Sequence, residues 1–196
     1  FMAPNWFRYT PLVAALLVGS AQASGALQFV TEPFPPFNFE ENGKAAGPMV
    51  EILQAVCKEA RLTCSAQIMP WRRALAMAES GQVDGIFSIL QGPERAQHFT
   101  LSDPVIRTSY SFFAPKGSGW SYTSPRSLGG MTIGVYGPSG TSITFNSLLP
   151  STSDTKVALE LSNFDALKTL SMGGYGHKAA VFMNRDVGLS MTHSMG

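Results

Sequence analysis

Charge is scarce in this sequence and balanced in sign: 14 Lys and Arg stand against 13 Asp and Glu, a formal net charge of +1. That argues against nucleic acid as a main partner, because no basic block supplies the electrostatic footprint that a phosphate backbone requires. Cysteine is limited to Cys57 and Cys64, too few for a structural zinc site, which wants four ligands. Histidine is limited to His98, His177 and His193, in segments that read as exposed or terminal, and no Ser-His-Asp order of the hydrolytic kind is evident. Spanning a bilayer takes about 20 apolar residues, and the run Pro11–Val18 is far shorter. Low-complexity tracts and internal repeats are absent as well.

What is present is an ordinary globular composition, 44% hydrophobic over 196 residues, enough for one or two small domains with cores of their own. The N-terminus reads as a targeting segment. Arg8 supplies a positive start, Pro11–Val18 an apolar stretch, and Ala21-Gln22-Ala23 a small-x-small cleavage signal. We expect a secretory signal peptide over residues 1–23. In an exported chain an even cysteine count favours a Cys57–Cys64 disulfide. Closing so short a loop stabilises by roughly 2.5 kcal/mol in the loop-entropy model.

Hydrophobic periodicity predicts an alternation of strands and helices. Leu27–Thr31 reads as a strand that stops at Glu32-Pro33-Phe34-Pro35-Pro36-Phe37, where the prolines enforce a stiff loop. Gly47-Pro48 opens a helix with Met49, Leu53, Val56 and Ala60 on its buried stripe. A strand over Thr63–Met69 leads to a helix from Trp71 with Leu75 and Ala78 inward, closed by Gly81. Gly85–Leu90 reads as a buried strand broken at Gly92-Pro93, where a short helical turn carries Glu94 and Arg95. Arg95 therefore falls just past a strand end, where open α/β sheets place their ligands. Val105–Ala114 is rich in strand formers, and Pro115–Gly119 marks a composition shift of the kind found at boundaries.

The second half continues the alternation. A turn at Ser124–Leu128 precedes a strand over Met131–Tyr136 and the glycine loop Gly137–Ser142, which lacks the Gly-Lys-Ser/Thr ending of a phosphate loop. Val157–Leu161 reads as a strand. Asn163 caps a helix with Phe164, Leu167 and Leu170 on one face, Ala179–Asn184 is the last strand, and Asp186 starts a turn.

The stretch from Asp84 to Pro104, with its D-G-x-x-x-S strand, P-E-R turn and F-x-x-S-D-P stop, resembles the family 3 periplasmic solute-binding proteins, the polar amino-acid receptors of ABC importers. The resemblance covers most of residues 27–188. It implies an α/β fold of the type II periplasmic-binding-protein kind, with mixed sheets in two lobes joined by a hinge. Lobe 1 is expected over 24–114, including a crossing strand at Val105–Ala114, and lobe 2 over 115–196, incomplete because relatives continue and cross back to lobe 1.

By the same resemblance Arg95 grips a ligand carboxylate through its planar guanidinium, and Thr141 bonds that carboxylate with its N–H and hydroxyl. Ser88 ends the D-G-x-x-x-S strand at the same site. Phe34 stacks on the ligand or plugs the core beside Phe37 and Phe39. Trp71 closes from the other side or packs between helix and sheet. Asn184 holds the place where amino-acid binders carry an ammonium-binding aspartate. The C-x6-C spacing of Cys57 and Cys64 is shared with relatives that bind basic amino acids.

These features imply a monomeric periplasmic receptor, with an amino acid or related carboxylate as ligand and a membrane permease as partner. No cofactor or metal is implied. An enzyme on the same scaffold, resembling cyclohexadienyl dehydratase, is the alternative, with Glu32 and Glu94 the carboxylates near the ligand loops. A sensory module or a non-binding lobe fragment is the third.

Overall fold

The computed structural model describes residues 25–150 and 153–195. The signal peptide expected over 1–23 lies outside them. Two sheets carry the fold, each flanked by helices and each with its own apolar core.

The first sheet is parallel, with β1 (Leu27–Thr31) between β4 (Cys64–Ile68) and β5 (Gly85–Ile86). Leu27 lies opposite Cys64, and Phe29 opposite Gly85. A hairpin of β2 (Phe39–Glu41) and β3 (Lys44–Ala46) stands beside it. Helix α1 (Pro48–Glu59) begins after Gly47, whose φ of 106° suits glycine and whose missing Cβ leaves room for the Phe37 carbonyl. Helix α2 (Trp71–Glu79) buries Trp71 and Ala74. Val30, Ala74 and Val83 form the first core, with Met69, Met77, Ala78 and Ile86 around them. Cys57 at the end of α1 is bonded to Cys64 at the start of β4.

Several sequence expectations change here. The stripe of α1 runs through Met49, Val50 and Cys57, not through Val56, which is 60% exposed. The disulfide turns the Cys57 side inward and so fixes the helix rotation. The strand expected over Gly85–Leu90 ends at Ile86, because Ser88 takes a left-handed φ of 59° and breaks the ladder. A single turn, α3 (Pro93–Ala96), then carries Arg95. The strand expected over Val105–Ala114 is β6 (Tyr110–Phe113) alone. Val105 and Ile106 lie exposed without strand partners.

The second sheet has the order β6, β9 (Ala179–Asn184), β7 (Thr132–Tyr136), β8 (Lys156–Glu160). β7 is parallel to both neighbours, and β6 runs antiparallel on β9 with Tyr110 opposite Asn184. A 3-10 turn (Pro125–Leu128) leads into β7. All six residues of β9 are buried, and the first five form the continuous apolar run of a strand covered on both faces. Its alternation divides the core. Ala180 and Phe182 pack with Ile133, Val135 and Phe145 of α4 (Gly140–Leu148). Ala179, Val181 and Met183 pack with Ala166, Leu167 and Leu170 of α5 (Asn163–Ser171). Each such large side chain contributes about 1.5–3 kcal/mol by burial.

In α5 the cap is Ser162 rather than Asn163, with the Ser162 hydroxyl accepting from the Asp165 N–H at 3.0 Å. Phe164 points away from the core and is 48% exposed. The turn expected at Asp186 is instead the start of α6 (Arg185–Met195).

Candidate ligand cleft

The carboxyl ends of β1 and β7 face one another, and the loops that follow them meet. Tyr136, the last residue of β7, donates its hydroxyl to Glu32 Oε2 at 2.9 Å, joining residues 104 positions apart. Arg72, in the first turn of α2, donates through Nη2 to the Gly137 carbonyl at 3.3 Å. The Leu90 side chain lies so close to Gly140 that a Cβ added there would press on it. These three contacts bring the first sheet's loops against the second sheet's glycine loop, the crevice where α/β folds bind ligands.

The loops are held from within. Asn38, fully buried, donates to the Glu32 carbonyl at 2.5 Å and accepts from the Ser88 hydroxyl at 2.5 Å. The Thr31 hydroxyl donates to the Phe87 carbonyl at 3.0 Å. On the other side Ser139 caps α4, accepting from the Thr141 N–H at 3.1 Å while its own N–H donates to Ser142 Oγ at 3.0 Å. The Glu32 side of the cleft is thus built on rigid backbone.

Its electrostatics centre on Glu32. Removal of water from around the carboxyl pushes its pKa up to about 7, and the Tyr136 hydrogen bond pulls weakly the other way. Burial, then the nearby Glu32 carboxylate, holds the Tyr136 hydroxyl far above its ordinary range. Burial likewise raises Tyr110, whose hydroxyl lies against Thr141 and Thr144. Glu32, Tyr110, Tyr136 and Thr141 thereby form one polar group at the strand ends.

The residues singled out from the sequence fall in four places. Arg95 and Trp71 come together, the guanidinium carbon standing 5.7 Å from the indole centroid, and Arg95 also pairs with Glu79 at 3.5 Å. Both are buried, and the Trp71 indole N–H has no hydrogen-bond partner among the described residues. Phe34 stacks on Phe37 with centroids 5.7 Å apart, and Ser88 is tied to Asn38. Thr141 sits in the cap of α4 beside Tyr110, its N–H already given to Ser139. No hydrogen bond among the described residues links Arg95 to Thr141.

Asn184 stands apart from these. It is almost fully buried, donates to Thr108 Oγ1 at 2.6 Å, and accepts from the Asp186 and Val187 N–H groups at 3.0 and 3.2 Å. Its amide caps α6, and the three bonds engage both its ends.

Tyr110, Tyr136 and Arg72 were absent from the sequence-derived site. Tyr136 ends a strand just before a glycine loop, a position that marks a cleft-facing residue in an open α/β sheet. Nothing local marks Tyr110 or Arg72. A second hollow, lined by Phe112, Trp120, Tyr122 and Leu148, lies beneath the 115–122 loop and carries no charged side chain. Another, lined by Glu40, Lys44, Gln54, Gln67 and Arg73 beside β3 and β4, does carry charge. Among the described residues no group of three or more His, Cys, Asp and Glu is placed to hold a metal ion.

Comparison with known proteins agrees with this architecture. Residues 27–185 match the model of the bacterial extracellular solute-binding proteins, family 3. A protein of Escherichia coli (strain K12) named as an ABC transporter arginine-binding protein is 30% identical over 130 residues, covering 63% of this chain and 52% of its own length. The arginine-binding periplasmic protein of Mannheimia haemolytica is 32% identical over 102 residues, covering 50% of this chain and 42% of its own length. The chain thus spans about half the length of these curated relatives. A solved ancestral arginine-binding protein bound to arginine superimposes with a TM-score of 0.75 at 25% identity, covering 87% of this chain and 74% of that one.

Proposed function

This chain belongs to the bacterial extracellular solute-binding proteins, family 3, and from that membership we propose that it captures an amino acid or closely related carboxylate between two lobes. The closed form is then presented to the membrane permease of an ABC importer, in the periplasm, by a monomer. The lobes are residues 24–114 and 115–196, with the exposed stretch before β6 as a hinge. Arg95 receives the carboxylate, using guanidinium N–H groups beyond the one turned to Glu79. Ser88 and Thr141 flank it with hydroxyls, and Phe34 and Trp71 wall the body of the ligand.

The observation that supports this reading most is the pair of polar contacts that join the first sheet's loop and helix to the end of β7 and the glycine loop, Tyr136 to Glu32 and Arg72 to Gly137. They form across the crevice, where closure around a small solute would be felt. The names of the relatives direct the choice of ligand toward amino acids, arginine first. Thermal melts with a panel of amino acids and other small carboxylates test it, since a ligand that binds only the native state raises the midpoint by mass action. We expect one compound class to raise it, and the rise to vanish in Arg95→Ala. A midpoint indifferent to every compound contradicts the proposal.

One observation favours a second reading, a dehydratase-like enzyme. The Glu32 carboxyl, pushed to about 7, lies in the range suited to a general acid or base. Turnover of a cyclohexadienyl acid, lost in Glu32→Gln, would promote that reading over the first.

A further inference from the structure

We propose that β8 is a self-association edge: two copies of this chain join their second sheets by pairing β8 antiparallel to β8, across a two-fold axis at Ala158. The pairing goes beyond the receptor function and leaves it intact, since each monomer keeps its own cleft and capture remains the act of one chain.

β8 is the outermost strand of the second sheet, bonded to β7 on one side and to no strand on the other among the described residues. Lys156 donates its backbone N–H to the Met131 carbonyl at 2.8 Å, and the Glu160 carbonyl accepts from the Gly137 N–H at 3.1 Å. Backbone direction alternates along a strand, so Lys156, Ala158 and Glu160 turn their N–H and C=O groups to β7. Val157 and Leu159 turn theirs outward, a row of donors and acceptors that templates another strand. The side chains of these two are also bare. Their ladder partners Ile133 and Val135 are buried against Phe145 of α4, whereas Val157 is exposed, Leu159 is 62% exposed and the following Leu161 73%.

The occupant follows from charge. The strand reads Lys-Val-Ala-Leu-Glu and is complementary to its own reverse. With Ala158 opposite Ala158, Val157 meets Leu159 of the second copy, exchanging both backbone bonds and covering each other's apolar surface. Lys156 then meets Glu160 of the second copy in a non-hydrogen-bonded pair, where side chains stand closest. Within one chain these two residues are about 13 Å apart along the strand, too far to pair with each other. Neither has an ion-pair partner among the described residues. Glu160 accepts from the Tyr175 hydroxyl at 2.5 Å through Oε1 and keeps Oε2 for a second contact. A slip of two residues one way sets Glu160 against Asp154, and the other way sets Lys156 against Ser162. Charge therefore selects the register centred on Ala158.

A single strand pair makes a small interface, so the dimer is expected to form reversibly as concentration rises from micromolar to near millimolar, read by sedimentation velocity. Leu159→Pro removes an outward N–H and spares the bonds to β7, and is expected to hold the chain monomeric. Lys156→Glu sets like charges opposite one another and is expected to weaken association roughly tenfold. Ala158→Cys locates the axis. The chain's own cysteines are bonded to each other, so a dimer on a non-reducing gel reports residue 158 alone. Cysteines facing one another at the axis are close enough to bridge, whereas Val157→Cys, displaced from it, is expected to cross-link far more slowly.

Wild-type protein that stays monomeric at every concentration overturns the proposal. So does a wild-type dimer that Leu159→Pro leaves intact, or that Ala158→Cys fails to cross-link. None of these results bears on ligand capture, which the melts with amino acids decide separately.

Discussion

At the scale of single residues, Asn184 and Glu32 are each fixed by named hydrogen bonds. Asn184 holds the start of α6, while Glu32, tied to the other sheet by Tyr136, faces the crevice. Each gives a measurable outcome. The Glu32 pKa is raised in the folded protein, so between about pH 4.5 and 7 the native state binds more protons than the unfolded chain. Its contribution to stability is fully present below the unfolded pKa and is lost as pH rises through about 7. Urea denaturation of the ligand-free protein from pH 4.5 to 8 is therefore expected to show wild type losing at most about 3 kcal/mol relative to Glu32→Gln. A flat difference between the two would mean that Glu32 is solvated as an ordinary surface carboxylate. Asn184→Ala should cost about 1–2 kcal/mol through the lost cap of α6, with any ligand-induced stabilisation preserved.

At the scale of elements, the strands were legible where apolar runs were long and bounded. β1, β4, β7 and β9 lie within a residue of where periodicity places them, because burial on both faces leaves little freedom in register. The misplacements have local causes. Where the sequence reads a turn starting at Asp186, the chain runs on as α6, and Gly188 is where that helix crosses the Phe113 ring with no room for a Cβ. Gly188→Val is accordingly expected to lower stability by about 1–3 kcal/mol in urea melts, chiefly by pushing α6 from β6. Wild-type stability in that variant would mean that α6 is not packed as described. The Cys57–Cys64 bond, expected from export and an even count, fixes the rotation of α1 as well as closing a loop. Replacing both cysteines by serine should cost roughly 2–3 kcal/mol, read as a lower denaturant midpoint without loss of the cooperative transition.

At the scale of the whole molecule, the fold class was legible and the assembled cleft was only partly so. Alternating strand and helix patterns suffice for two α/β sheets, since each pattern is local. The cleft is made by contacts between distant residues: Glu32 to Tyr136, Arg72 to Gly137, and Arg95 onto Trp71. Nothing in the neighbourhood of Tyr110 or Arg72 announces that they face Thr141 or Gly137. Arg95 was singled out from its motif, but its packing between Trp71 and Glu79 was not foreseeable from the residues around it.

In the proposed function the cleft binds an amino acid through Arg95. Equilibrium dialysis of radiolabelled L-arginine against the chain and against Arg95→Ala tests it most directly. We predict saturable binding of about one L-arginine per chain and a loss of at least about tenfold in Arg95→Ala, the weight of a charge-assisted contact to carboxylate. Equal retention of L-arginine by both proteins, or none by either, would contradict the account.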